Sequence, residues 1–297
     1  EAAASLFAYA TQYGERERQL ATLFGAEAMA NVQARLARSP ADFGLAAADI
    51  GFSRDTASLV EQTLSFVNQA RIGELLAAGD GTIAERGLDQ EKSMMAATFR
   101  QFAHDVVAPL AEAIHRQDLL IPDVIIDGLR ELGCFGLSVP ERFGGLLPDD
   151  HEDSLGMIVV TEELSRASLG GAGSLITRPE IMARALLEGG TPAQQAHWLP
   201  RLAKGDPLCG IAITEPDYGS DVASMRMKAT PVEQGWLLSG SKTWSTFAGK
   251  AGVLLTLART DPDPKSGHRG LTLFMVEKPA FDGQQFEFVQ PGGGKLS

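Results

Sequence analysis

The hydrophobic pattern changes period at Asp206, and that change restricts the chain to folds that join a helical part to a sheet part. Before it, apolar residues recur at three-to-four-residue steps. Met95, Phe99, Phe102, Val106 and Leu110 make one helical face, with Arg100 and Asp105 pointing away. The spacing predicts a second helix over 123–132 that buries Val124, Ile125, Leu129 and Leu132 and stops at Gly133, a natural C′ residue. A third starts at Ser154, carries Leu155, Ile158 and Val159, and ends before Gly170-Gly171. Thr177 caps a fourth that runs to Gly189-Gly190, with Pro179 near its first turn. Thr191-Pro192-Ala193-Gln194 reads as a capping box opening a fifth, through Trp198 and Leu202. Five helices with short connections predict an antiparallel bundle.

After Asp206 the runs 208–214, 225–229, 236–238, 253–259 and 271–276 have strand composition, separated by clusters such as Asp261-Pro262-Asp263-Pro264. That predicts an antiparallel sandwich or barrel. Upstream, residues 1–90 repeat helical spacing at Phe7, Ala10, Tyr13, at Leu20, Leu23, Phe24, and at Leu59, Leu64, Val67, Ile72, with breaks at Ser39-Pro40 and Gly79-Asp80-Gly81. Three to five helices are expected there, as a packing or oligomerisation module. The expected class is α+β: a helical extension over 1–90, a helical bundle over 91–206 and a β-domain over 207–297.

A chain of 297 residues holds two domains and a small third. Hydrophobic residues at 44% and charged residues at 22% exclude general disorder. With 26 basic against 38 acidic residues the net charge is −12, and no basic cluster is present, which argues against nucleic-acid or anionic-membrane partners. Charges interrupt every apolar stretch before membrane-spanning length, so a soluble protein is expected. Cys134 and Cys209 are far apart, in no metal-ligand spacing, which fits a reducing cytoplasm. The start at Glu1, with neither Met nor a signal pattern, predicts missing N-terminal sequence. His104, His115, His151, His197 and His268 are scattered, so no metal site is expected. Gly170-Gly171-Ala172-Gly173 lacks the lysine of a phosphate loop, no strand–glycine–helix fingerprint occurs, and no hydrolase nucleophile elbow is present.

Two segments stand out. Ile211–Asp221 reads as a strand stopped by Pro216, then a turn in which Gly219 admits close backbone approach of a ligand, with hydroxyls at Thr214 and Ser220. In 239–248, Trp244 and Thr246 are expected on one strand face, an indole for a planar ring beside a hydroxyl for its polar edge. The two segments are expected on neighbouring strands.

Together, Ile213-Thr214-Glu215-Pro216 with Gly219-Ser220-Asp221, and Gly240 with Lys242-Thr243-Trp244 and Thr246, resemble the acyl-CoA dehydrogenase family. Upstream, Gly190–Gly205 and the loop around Glu141-Arg142-Phe143-Gly144-Gly145 are similar to two further family segments, in the same order. The extension before residue 93 resembles the N-terminally extended methylsuccinyl-CoA dehydrogenase branch.

The resemblance implies FAD bound between β-domain and helices, oxidation of an acyl-CoA thioester to the 2-enoyl-CoA, and electrons passed to electron-transferring flavoprotein. It implies that Ile211, Ile213 and Thr214 line the flavin together with Gly219, Ser220 and Ser245. Trp244 and Thr246 would flank the ring, and Ser220 would meet the CoA arm or substrate. Glu215 is implied to belong to the loop scaffold rather than to act as base. The catalytic Glu is expected in a C-terminal four-helix domain beyond Ser297, carried by the rest of the polypeptide or a complementary chain, in a homodimer or homotetramer.

This chain departs from the family pattern at Ser245 and Phe247, where Ile and Asn are usual, and at Asp217-Tyr218, where small residues are usual. Tyr218 adds bulk beside the implied substrate channel. Arg178, near the implied acyl pocket, could pair with a free substrate carboxylate, as in methylsuccinyl-CoA, or be an exposed residue of a helical first turn. An acyl-CoA oxidase, a flavin monooxygenase and a non-catalytic interaction protein remain alternatives on the same scaffold.

Overall fold

The computed structural model describes residues 2–79, 86–280, 288–289 and 295–296. The expected break at Asp80-Gly81 and the segment Gln290–Gly294 lie outside these. The chain divides into two units, 1–87 and 88–297.

In the first unit α1 (Ala2–Ala10) and α3 (Arg54–Leu64) pack on α2 (Glu15–Arg38), joined by α4 (Phe66–Ala77). Ser53 and Ser65 cap α3 and α4 by accepting from the amides of Thr56 and Asn68. Ala10, Ala21, Ala26, Val60 and Ile72 are buried, whereas Leu59 and Val67 of the predicted faces are exposed.

The second unit begins with α5 (Gln90–Phe102), which passes through a π turn at Ala103–Val107 into α6 (Ala108–Arg116). The predicted face from Met95 to Leu110 does pack on the core, but across this re-registering, next to Pro109, which has no amide to donate. Arg100 points off that face, yet not to solvent alone: its Nε and Nη2 donate at 2.9 and 2.8 Å to the buried carboxylate of Glu163. In α7 (Asp123–Glu131) the buried residues are Ile125, Ile126 and Leu129, while Val124 is 55% exposed; Gly133 takes the left-handed C′ conformation as expected. α8 (Ser154–Ser168) is capped by Asp153 and buries Val159, Val160, Glu163 and Leu164 rather than Leu155 and Ile158. α9 (Thr177–Gly189) has no side-chain cap, because Thr177 already lies inside it. α10 (Pro192–Ala203) carries the expected capping box, Thr191 and Gln194 each accepting the other's amide at 3.3 and 2.8 Å.

The sheet is built from β1 (Cys209–Ala212), β2 (Lys228–Val232), β3 (Gly235–Ser239), β4 (Val253–Arg259) and β5 (Leu271–Glu277). It is mixed rather than antiparallel: β1 and β2 pair with β4 in parallel, while β2–β3 and β4–β5 are antiparallel. Parallel pairing needs a long crossover, and residues 213–252 supply it. Residues 253–256 of β4 are buried in succession, as a strand covered on both faces requires. The segment 225–227, predicted as strand, instead leads into β2. Between helices and sheet, Trp198, Leu199 and Leu202 of α10 pack with Cys209, Val253 and Leu255.

Candidate functional site

The backbone leaves β1 through Ile213 and Thr214 and doubles back at once. The Glu215 amide donates to the Tyr218 carbonyl at 3.0 Å, and the Tyr218 amide returns to Glu215 at 3.2 Å. The Glu215 side chain turns inward. Its Oε2 accepts from the Arg226 amide at 2.7 Å, and its Oε1 from the Met227 amide at 2.8 Å and Lys242 Nζ at 3.1 Å. Burial alone would raise this carboxyl, but the two amides and the ammonium outweigh it and hold the pKa below the ordinary carboxylate value. The scaffold role expected of Glu215 agrees with this geometry, since both oxygens are committed to the loop.

Lys242 joins the two segments. Its Nζ donates to the Ile213 carbonyl at 2.8 Å as well as to Glu215, and the next amide, Thr243, donates to the Thr214 carbonyl at 2.9 Å. The segments are therefore neighbours, but as loops and not as strands. Gly240, at φ 150, passes so close to Met227 that a Cβ would lie 2.8 Å from its Cα, and β3 ends there.

Trp244 and Thr246 do not share a strand face. Trp244 sits at φ 57 with its indole 87% exposed, the Thr246 amide donates to the Trp244 carbonyl at 3.0 Å, and Phe247 is again left-handed at φ 69. Two non-glycine residues in this region cost about 1–3 kcal/mol each and persist only where surroundings enforce them. Lys278 supplies part of that enforcement. It is buried just beyond β5, and its Nζ donates to the carbonyls of Gly249, Ala251 and Pro279 at 3.0, 2.5 and 2.6 Å. Lys250 adds a tether to Asp123 at the start of α7, at 2.5 Å.

Residues 245–250 form one wall of a cleft of about 250 Å³; Leu119, Leu120, Ile121 and Gly170 form the other. Ser245 and Thr246 are thus brought together with Phe247 against the helical part. Ile211 is half spent on the core beneath. The hydroxyls of Thr214, Ser220, Ser245 and Thr246 engage no partner among the described residues. Gly219 and Ser220 are exposed on the turn, and a Cβ at Gly219 would meet nothing within 4 Å, so room rather than positive φ marks this glycine.

Tyr218 borders a second cleft, of about 730 Å³, with Arg226, Lys228, Thr230, Arg259 and Thr260. Arg259 is spent on the carbonyls of Met225, Ala223 and Gly267. Arg226 lies 5.2 Å over the Tyr218 ring. This concentration of cations on an acidic chain was not apparent in sequence, because Arg259 comes from a segment some thirty residues beyond Arg226 and Lys228.

Arg178 is half-buried; its Nη1 donates to the Ser174 carbonyl, and no carboxylate pairs with it among the described residues. It borders an enclosed void of about 10 Å³ with Phe135, Leu175, Cys209 and Phe247, room for about one water. Burial lowers the guanidinium pKa. It also pushes the Cys209 thiol up to about 12, against the opposing pull of Arg178, and raises that of Cys134; both thiols are buried. Among the described residues there is no cluster that could hold a metal ion and no helix long and apolar enough to cross a membrane.

Two sequence profiles match the second unit: "Acyl-CoA dehydrogenase, N-terminal domain" over 89–206 and "Acyl-CoA dehydrogenase, middle domain" over 210–291. The chain is 44% identical over 219 residues to the (2S)-methylsuccinyl-CoA dehydrogenase of Cereibacter sphaeroides, covering 73% of this chain and 39% of that protein. Two solved structures superpose on 65% of the chain. One, described as the electron transferring flavoprotein of Acidaminococcus fermentans, gives a TM-score of 0.59 at 27% identity and is covered to 49%. The other, a glutaryl-CoA dehydrogenase from Mycobacterium smegmatis in complex with FADH2, gives 0.56 at 29% and is covered to 47%. The chain thus spans less than half the length of each of these three proteins.

Proposed function

The chain belongs to the acyl-CoA dehydrogenase family, and on that premise we propose that it forms part of an FAD-dependent enzyme that oxidises an acyl-CoA to its 2-enoyl-CoA. We read 1–90 as a helical extension, 91–206 as the helical domain and 207–297 as part of the β-domain. The observation that carries the proposal is the pair of stapled loops. They bring the unspent hydroxyls of Ser245 and Thr246, next in sequence to the exposed Trp244, to a cleft walled by Leu119, Leu120, Ile121 and Phe247, a donor set and surface that suit a planar ring with a polar edge.

In this reading Ile211, Ile213, Thr214 and Gly219 line the ring's polar side, and Trp244, Ser245 and Thr246 hold its other edge. Bound FAD would supply the hydride acceptor. The chain's own residues orient and exclude water: Leu119–Ile121 close the cleft, and Glu215 with Lys242 keeps the two loops in register. Glu215 is not the base, because both its oxygens are occupied, and no described carboxylate is proposed for that step. Ser220 and Tyr218 face the CoA arm, whose phosphates the Arg226 and Lys228 cleft suits.

The substrate we propose is a short, branched or dicarboxylic acyl-CoA such as methylsuccinyl-CoA, with electron-transferring flavoprotein as acceptor, in a cytoplasmic homo-oligomer. Support comes from the identity with the Cereibacter sphaeroides enzyme and from Arg178, a half-buried cation that pairs with no carboxylate among the described residues. The void beside Arg178 has room for about one water, so carboxylate binding there requires Phe247 or the guanidinium to shift.

The full-length enzyme tests the reading. Its flavin absorbance should bleach anaerobically with methylsuccinyl-CoA and return with electron-transferring flavoprotein. Recolouring in air alone would make it an oxidase, and a colourless protein that takes up no FAD would make it an interaction module. R178A should lose activity on methylsuccinyl-CoA at least tenfold relative to butyryl-CoA; an unchanged ratio removes Arg178 from the substrate site.

A further inference from the structure

The loop between β3 and β4 is held in a shape that its own residues disfavour. Trp244 and Phe247 are both left-handed, at φ 57 and 69, and neither a proline nor a glycine between them makes that conformation easy. Two buried ammonium groups flank this stretch, and both donate to backbone oxygens. Lys242 reaches the Ile213 carbonyl and Glu215 at its start; Lys278 reaches the Gly249 and Ala251 carbonyls at its end. The Lys278 amide also donates to Gly252 at 3.0 Å, so the same residue grips the loop exit by main chain and side chain. Lysines are almost never this buried without a specific partner. Here the partners include the Ile213 carbonyl and Glu215 carboxylate of the neighbouring loop for Lys242, and the Gly249 and Ala251 carbonyls after the strained turns for Lys278.

We infer that Lys242 and Lys278 are positioning residues that clamp the loop 243–251 from both ends and so preform one wall of the ring-binding cleft. The clamp is pre-organisation: the strain is met during folding, and a ligand entering the cleft does not have to order the loop. The inference rests on the proposed flavin site for its ligand, but not for its effect on the loop.

The experiment uses the full-length protein and reads two quantities well below the melting temperature. One is the affinity of the apo-protein for FAD, by flavin fluorescence. The other, without FAD, is acrylamide quenching of Trp244, taken as the difference between each variant and its W244F counterpart. Three forms are compared with wild type: K278M, K278R, and the charge-neutral pair K242M/E215Q, which avoids stranding a buried carboxylate. K278M and K242M/E215Q should each weaken FAD binding at least tenfold and alter Trp244 quenching with an unchanged far-UV circular dichroism spectrum, and K278R should restore part of both. If K278M does not fold, the charge-neutral pair decides. A folded variant that binds FAD within twofold of wild type with unchanged quenching overturns the clamp. Wild type that takes up no FAD, while quenching still answers to the lysines, sinks the flavin reading and leaves the clamp standing.

Discussion

Glu215 shows how a carboxylate in a recognisable sequence motif can be a structural member. Both its oxygens are held by backbone amides, one of them also by an ammonium, inside a turn that its own main chain closes. Removing one partner of a buried pair strands the other, so E215Q should cost the fold about 3 kcal/mol in urea denaturation. The pH dependence has a definite sign. Because the folded carboxyl titrates below its ordinary range, its contribution is complete at neutral pH and fades as the pH falls through the lowered value. The gap between wild type and E215Q should therefore narrow in acid, and a gap of the same size at about pH 3 would rule this out. The residue's scaffold role was legible from the motif, but not the identity of its partners. Arg226, Met227 and Lys242 are distant in sequence, and nothing local selects a backbone amide as partner.

Helix ends and tight turns obey local rules. Thr191 and Gln194 close a capping box recognisable from four consecutive residues, and T191A should lower stability by about 1 kcal/mol in thermal unfolding. In the loop after α7, a Cβ on Gly145 would lie 1.8 Å from the Val139 carbonyl oxygen. G145A must therefore open that turn, at a cost of about 2–3 kcal/mol by the same measurement; a neutral effect would show that the turn yields freely.

Which face of an element is buried was harder to read. In α8, Leu155 and Ile158 compete with Val160 and Leu164 for the core, and both stripes have helical spacing. The buried stripe is the one containing Glu163, which Arg166 one turn on approaches at 3.6 Å and which Arg100 reaches from α5 with two hydrogen bonds. Spacing within one helix carries no trace of that partner. Trp244 misled in a similar way: its composition reads as strand, yet the backbone there is left-handed, and Lys278, which grips the loop's exit at Gly249 and Ala251, lies outside the run.

Across the whole molecule, the order of helical and strand segments and of the family motifs was plain, since each is a run of neighbouring residues. Sheet direction and the clustering of charge were not, because both depend on which distant segments meet. The chain carries −12 overall, yet gathers Arg226, Lys228 and Arg259 around one cleft. Affinity of the full-length enzyme for CoA should fall as salt rises from roughly 0.01 to 0.3 M, since the Debye length shrinks from about 30 Å to below 10 Å. R226A/K228A should bind more weakly at low salt and lose most of that dependence; an undiminished slope in the double variant would place the phosphates elsewhere.

The parallel pairing of β1 with β4 has a kinetic consequence. Both strands flank the stretch that holds the two stapled loops, so neither loop is closed until residues 209–212 find 253–256. Closing so long a loop is an entropic cost that precedes any return from contacts within it. Helices α5–α10 need no such search, so they form before the sheet registers. The cleft walled by residues 245–250 is therefore expected to close late in folding, together with the sheet. A nascent chain that has not yet made β4 cannot form the parallel pairing that brackets the two loops.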